Sequence, residues 1–268
     1  MKNKNLAKRV YRGGMRRVRR ILTGSPVPGS PFDALHQKLF RDTTPDNDFV
    51  IFDVGAHVGE SFWRFHRMFP DSTIHSFEAD KGNFENLSRN LREFPKARLN
   101  NFGVGSKHEF KKFYKNLKTN TSSFVPVDPE SEWATEKSRR QGVSYNEFTS
   151  EVYDMEIRSL DSYMEENSID HINILKIDTQ GYEAEVLKGA RRTLEQNKVD
   201  VIETELIVGA AYKNVLGFSD LENILKPCGY SFFAIDHAGN LQDTPSLSFD
   251  LIYVSDRFLA GRRIPKAA

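Results

Sequence analysis

The chain has 268 residues and is 38% apolar with 20 Phe, enough for the core of one large α/β domain. A formal charge of +1 removes any bulk electrostatic case for nucleic acid, and a single cysteine, Cys228, excludes an internal disulfide framework and fits a reducing compartment. No run of about 18 apolar residues occurs, so no transmembrane helix is predicted.

Charge is uneven along the chain: residues 1–30 hold nine of the basic residues and no acid, which leaves the remainder net acidic. Residues 1–24 read as a basic, weakly amphipathic helix with Leu6, Val10, Val18, Ile21 and Leu22 on its apolar side, broken at Gly13-Gly14. Arg19 and Arg20 split that apolar side, so it does not read as a secretory signal. Two readings stay open for this stretch: a solvated tail, or a peripheral contact between a cytoplasmic protein and an anionic membrane face or acidic partner. Ser25–Pro31 is a linker by composition, and the domain proper is expected over 31–268, led in by a short helix at Asp33–Phe40.

Phe49–Glu60 reads FVIFDVGAHVGE. Four apolar residues suit a strand buried on both faces, and a helix follows with Phe62, Phe65 and Phe69 on one side. Strand, glycine turn and helix open a nucleotide-binding α/β unit. No Gly-Lys-Ser or Gly-Lys-Thr follows, and the spacing is D-x-G-x-x-x-G rather than the dinucleotide G-x-G-x-x-G. Asp53 inside the motif would repel a pyrophosphate. It suits a ligand with a cationic amine, and S-adenosylmethionine carries both an ammonium and a sulfonium.

Ser72–Phe77 is predicted as the second strand, ending in Phe77-Glu78-Ala79-Asp80, and Lys81–Phe94 as a helix. Ala97–Val104 is a third strand, and Phe110–Tyr114 a hairpin arm. Residues 116–154 are polar and irregular, with Trp133, Tyr145, Phe148 and Tyr153 scattered through them, as in a functional lid or a disordered insertion. Met155–Leu160, a helix at Asp161–Glu166, strand Ile172–Ile177 ending in Asp178, helix Tyr182–Gln196 and strand Val199–Val208 follow. Helix Phe218–Lys226 stops at Pro227 and Gly229, and Tyr230–Ile235 and Phe249–Val254 pair antiparallel. The alternation predicts a mostly parallel seven-stranded sheet with an antiparallel last strand and helices on both faces, a class I methyltransferase (Rossmann-like) fold.

In such a sheet the ligand lies across the carboxyl ends of the strands. Asp53, Glu78 and Asp178 all fall at predicted strand ends, and Glu78, 25 residues after Asp53, could accept from both ribose hydroxyls. A single strand-end acid is often only a helix cap, but three together beside a glycine turn favour a ligand site. His57, inside the turn, could pack on the ligand, act as a base or fill a loop position. His36, His66, His75, His108, His171 and His237 lack zinc-ligand spacing. Asp178, Glu203 and Glu205 could meet around magnesium, although carboxylates commonly adjoin without one, and no metal is expected. No G-x-S-x-G element suggests a hydrolase.

Three segments resemble the FkbM-type methyltransferases. DVGAHVG (Asp53–Gly59) is similar to their first motif, which more often has Asn at the place of His57. SFEAD (Ser76–Asp80) resembles their ribose-binding strand end. LKIDTQGYEAEVLKGA (Leu175–Ala190), with IETEL (Ile202–Leu206) downstream, resembles their most specific segment, which more often has Glu at the place of Gln180. The resemblance covers roughly residues 48–255. It implies S-adenosyl-L-methionine as cofactor and O-methylation, with acceptor hydroxyls on glycans, lipid-linked sugars or polyketide-like metabolites. It also implies that Asp53, Gly55 and Gly59 carry the methionine end and Glu78 the ribose, with Ala56, His57 and Ala79 counted among the cofactor-binding residues. Asp178 would face the methyl group as general base, with His57, Glu183 and Glu205 behind it. The competing readings are a nicotinamide dehydrogenase, for which glycine spacing and a Tyr-x-x-x-Lys set are absent, a nucleic-acid or other small-molecule methyltransferase, and a nucleotide-binding module without catalysis.

Overall fold

Val50–Val54 is buried at every position, as a strand flanked on both edges and covered on both faces requires. The computed structural model describes residues 30, 32–41, 49–144, 147–208, 212, 216–238 and 247–261. The predicted basic helix 1–24 and most of the Ser25–Pro31 linker lie outside the described residues. Ten strands follow in chain order: β1 Val50–Val54, β2 Thr73–Phe77, β3 Ala97–Asn100, β4 Gly103–Val104, β5 Glu109–Asn116, β6 Thr149–Arg158, β7 Ile172–Ile177, β8 Val199–Val208, β9 Tyr230–Ala238 and β10 Leu247–Ser255. Seven form one sheet in the order β3-β2-β1-β7-β8-β10-β9. The first five run parallel, while β10 is antiparallel to both β8 and β9. This is the predicted class I methyltransferase architecture, and the order reverses between β1 and β7.

The sheet's alternation sorts its side chains onto two cores. Phe52, Val54, Leu175, Ile177 and Ile202 pack beneath the helices Leu160–Glu166, Glu183–Gly189 and Phe218–Leu225. Ile51, Ile74, Ile174 and Val201 pack on the other face, beneath Asp33–Leu39, Glu60–Met68 and Lys81–Leu91. Phe62 and Phe65 of the Glu60–Met68 helix are fully enclosed there, worth about 1.5–3 kcal/mol each. Asp53, Lys176 and Glu203 stand in one cross-strand row, two residues along from Ile51, Ile174 and Val201, and so share their face.

Three expectations are corrected. The third predicted strand is two strands, because the chain leaves the main sheet at Asn101–Phe102 and β4 pairs with β6 instead. The 116–154 stretch is not irregular: Thr149–Asp154 belongs to β6, which pairs antiparallel with β5, and Ser131 caps a helix at Glu132–Gln141. Trp133, Phe148 and Tyr212 pack with Val127, Ala134 and Ile207 into a small core, so buried Phe148 offers no free face for stacking, and Tyr145 lies outside the described residues. The predicted helix Tyr182–Gln196 breaks into Glu183–Gly189 and Arg191–Glu195. At the break Gly189 meets the main chain of Gly105, whose carbonyl oxygen would lie 1.9 Å from an added Cβ. Among the described residues no helix is long and apolar enough to cross a membrane.

Candidate active site

The turn after β1 is built from left-handed residues: Gly55 at φ +86°, His57 at +50° and Gly59 at +102°. Gly55 and Ala56 both donate to the Phe77 carbonyl at 3.0 Å, tying the turn to the end of β2. The turn after β7 also uses left-handed backbone, at Gln180 (+57°) and Gly181 (+93°). The two turns touch, since a Cβ on Gly55 would lie 1.9 Å from the Asp178 carbonyl oxygen. Asn, Asp and His are the side-chain-bearing residues that best tolerate this backbone, so His57 suits its place in the turn at φ +50°. Ala56 is buried in the apolar core, and Ala79 packs beside the cluster under β5 and β6; neither side chain carries a polar group to a ligand.

Asp53 is 0% exposed, and neither carboxylate oxygen accepts a hydrogen bond. Ser76, its register partner on β2, likewise has an unpartnered hydroxyl. Burial pushes Asp53 up to about 6, against the pull of Lys176. Lys176, in register on the other side, is buried and sets its Nζ 3.1 Å from Asp178 Oδ2. Burial works against its charge, but Asp178, Asp53 and Glu203 more than offset that and hold it protonated. One ammonium thus serves two carboxylates, and Asp53 is left enclosed with both oxygens unpartnered.

Glu78 bridges two turns. Its Oε2 accepts the His57 N–H at 2.7 Å and its Oε1 the Asp80 N–H at 2.8 Å. Each oxygen keeps a further lone pair. Burial pushes Glu78 up to about 7. Asp80 is a cap: it accepts from the Asn83 N–H at 2.7 Å and holds Lys115 at 2.9 Å and the Tyr153 hydroxyl at 3.1 Å. His57 sets Nε2 3.0 Å from Thr119 Oγ1 and Nδ1 3.3 Å from Glu60 Oε2. Burial lowers its pKa, but the Glu60 hydrogen bond and the charges of Glu60, Glu78 and Asp178 outweigh this and raise it.

Asp178 follows β7 with its side chain 41% exposed. Lys176 and the hydrogen bonds from Lys176 and Gln180 outweigh desolvation and hold it below the ordinary carboxylate value. Gln180 donates from one nitrogen to Asp178 Oδ1 at 3.0 Å and Glu205 Oε2 at 2.7 Å. The Tyr212 hydroxyl lies 2.9 Å from the Thr121 carbonyl and 3.3 Å from Gln180 Oε1. Ser123 donates to the Thr179 carbonyl at 3.0 Å, so the 119–123 turn of the insertion rests on both βα turns. Glu183 is a local cap, accepting from Thr179 and Gly181.

The structure therefore brings Asp53, Gly55, His57, Glu78 and Asp178 together. It does not bring Glu203 to Asp178 and Glu205: Glu203 turns to Arg64, whose Nη1 is 2.6 Å from its Oε1, and to His36 at 3.2 Å. Arg64 also reaches Asp33 at 2.9 Å. Among the described residues no group of side chains could hold a metal ion. Lys176, Tyr212 and Thr119 were not anticipated, and the sequence marks Gln180 only as a departure from the family's segment. Lys176 had a signal, since a lone base within a strand buried on both faces must find a charge partner. Tyr212 and Thr119 had none, because they reach the site from distant loops.

The family profile of the methyltransferase FkbM domain matches residues 53–232. "Methyltransferase 1" of Beauveria bassiana is 24% identical over 68% of this chain and 75% of its own length. "2-O-methyltransferase NoeI" of Sinorhizobium fredii is 24% identical over 68% of this chain and 73% of its own. Among solved structures, a precorrin-6y C5,15-methyltransferase from Geobacter metallireducens aligns with a TM-score of 0.40 at 12% identity, covering 83% of this chain and 87% of that one.

Proposed function

The chain belongs to the FkbM methyltransferase family, and from that premise we propose that it is an S-adenosylmethionine-dependent O-methyltransferase acting on a hydroxyl of a glycan, glycolipid or related metabolite. The observation that carries the cofactor is Asp53, an enclosed carboxylate with both oxygens unpartnered beside a left-handed glycine turn. An unpaired buried carboxylate is costly, and a ligand ammonium relieves that cost. Glu78 would accept the ribose hydroxyls with the lone pairs its two backbone bonds leave over. The left-handed backbone of Gly55 and Gly59 shapes the turn that would receive the ligand, and His57, anchored to Glu60 and Thr119, closes it.

When bound, S-adenosylmethionine supplies a methyl group on a positively charged sulfur. A hydroxyl acceptor fits the far side of the site because Asp178, ionised and open to solvent, is a hydrogen-bond acceptor. An alcohol oxygen sheds its proton readily once it begins to share electrons with carbon, so even a carboxylate held below its usual pKa can steer it. The name of the Sinorhizobium relative, a 2-O-methyltransferase, agrees with an oxygen acceptor. The insertion, whose 119–123 turn contacts both βα turns, serves on this reading as the cover over the acceptor. The basic segment 1–24 would hold a cytoplasmic enzyme against anionic membrane.

Titration calorimetry with S-adenosylmethionine, its demethylated product and NAD tests the cofactor. Binding of NAD alone would end the proposal. Mass spectrometry of sugars and lipid-linked sugars incubated with enzyme and cofactor, read for the gain of one methyl group, tests the acceptor class.

A further inference from the structure

Resting on that reading of the site, we infer that Glu205 is a second catalytic carboxylate: Asp178 orients the acceptor hydroxyl and Glu205 receives its proton. β7 and β8 run parallel in a register that pairs Ile177 with Thr204, so the next residues stand side by side, Asp178 just past the end of β7 and Glu205 where β8 runs on beyond that pairing. Gln180 then ties them, giving one amide nitrogen to both. Their remaining capacity differs. Each oxygen of Asp178 already accepts one hydrogen bond, Oδ2 from the Lys176 ammonium at 3.1 Å and Oδ1 from Gln180 at 3.0 Å, and keeps one lone pair with which to orient a hydroxyl. Glu205 commits only Oε2, at 2.7 Å, and its Oε1 accepts nothing among the described residues.

The charges around the pair point the same way. Asp178 has a cation of its own in Lys176. Glu205 faces Asp178 on the β7 turn, Glu183 on the following helix and Asp250 on β10, and the attraction of Lys176, which those charges outweigh, is already shared with Asp178 and Asp53. The hydroxyl of Tyr212 is aimed at Thr121 and Gln180 and offers Glu205 no hydrogen bond. Protonating Glu205 relieves like-charge crowding; protonating Asp178 breaks an ion pair. Burial and the surrounding carboxylates hold Glu205 well above the ordinary value while Asp178 sits below it, the divergence that separates a proton acceptor from a fixed anion. The step balances. The acceptor oxygen forms its bond to the methyl carbon as the carbon–sulfur bond breaks, that pair stays on sulfur, and the hydroxyl proton passes to Glu205 Oε1.

Two measurements judge this. In the ligand-free protein, ¹³C-carboxyl glutamate spectra, with Glu205→Gln used to assign the resonance, should show Glu205 titrating above the ordinary glutamate range. Titration in the ordinary range overturns the inference without touching the proposed function. The second measurement is the pH–rate profile of methyl transfer to glycerol and free hexoses as probe hydroxyls. Wild type should gain rate as pH rises. Glu205→Gln should keep cofactor affinity, lose about 10²–10⁴ in rate and lose that rising limb, with Glu205→Asp restoring part of both. Asp178→Asn should also be slow, through a raised acceptor KM, yet keep the limb. The reverse assignment, a limb lost in Asp178→Asn and kept in Glu205→Gln, overturns the division of roles. Cofactor binding by wild type with no methylated hydroxyl removes the O-methylation reading and this inference with it.

Discussion

Replacing Gly55 by alanine should damage the protein in two separable ways. The added Cβ would fall 1.9 Å from the Asp178 carbonyl oxygen, where real Cβ contacts stay beyond 3.0 Å. The β1 and β7 turns must therefore part by about 1.1 Å, at the place where the Asp178 N–H donates to the Val54 carbonyl. A side-chain-bearing residue at φ +86° adds strain of about 1–2 kcal/mol, and overpacking about 1–3 kcal/mol more. For a domain of this size that lowers the melting temperature by roughly 5–15 °C. Moving the Asp178 backbone by about an ångström should also slow transfer on the order of 10²-fold. Gly142 is the control: it has φ +68° but nothing within 4 Å of an added Cβ, so Gly142→Ala bears the strain without the clash. Thermal melts followed by circular dichroism, with cofactor calorimetry alongside, make the comparison. If Gly55→Ala melts with Gly142→Ala and binds cofactor normally, the contact between the two turns is refuted.

Arg64→Met should cost about 3–5 kcal/mol, because it strands the Glu203 carboxylate in the core; a melt shifted by less than the Gly142→Ala control would contradict this. Asp53 and Glu78 are held near 6 and 7 in the ligand-free protein. The folded state therefore keeps their protons more readily than the unfolded chain, and the stability this gives is complete below about pH 4 and lost as pH rises through about 6 and then 7. His36 and His75, lowered to about 4 by burial, act in the opposite sense: their contribution is full above about 6.5 and lost as pH falls towards 4. On the proposed reading the cofactor's ammonium meets an ionised Asp53, so affinity should weaken as pH drops below about 6, and calorimetry across pH 5–8 in which affinity stays flat would count against the Asp53 contact. Removing residues 1–30 should leave cofactor affinity unchanged and abolish salt-sensitive sedimentation with anionic vesicles; equal sedimentation by both chains would sink the membrane role.

The sequence pattern located what local chemistry dictates. Apolar runs such as Ile172–Ile177 and punctuation such as Pro227 and Gly229 marked the core strands and their order of connection. The glycine turn and the strand-end acids marked one wall of the site. The remainder was hidden for definite reasons. The first half of β6, TSEVYD, carries polar residues on both faces, so period-two alternation gives no signal there. The helix Glu132–Gln141 is strongly polar and buries Ala134 against Val127, Phe148, Ile207 and Tyr212, contacts that only the folded chain supplies. Glu203 and Glu205 look equivalent in IETEL, two residues apart on one face of β8. What distinguishes them is Arg64, far back in the chain, which claims the first and leaves the second to Gln180.

The position of β10 has a consequence for how the molecule is made. It comes later in the chain than either of its neighbours, yet it lies inside the sheet, between β8 and β9. On the ribosome β8 emerges with an unpaired edge of Val, Ile and Leu, and β9 follows with no neighbour to pair with until residues 247–255 arrive. The wall that carries Glu205 is thus completed only after residues 247–255 have emerged, and until then the nascent chain presents an open, apolar sheet edge of the kind that recruits chaperones or aggregates.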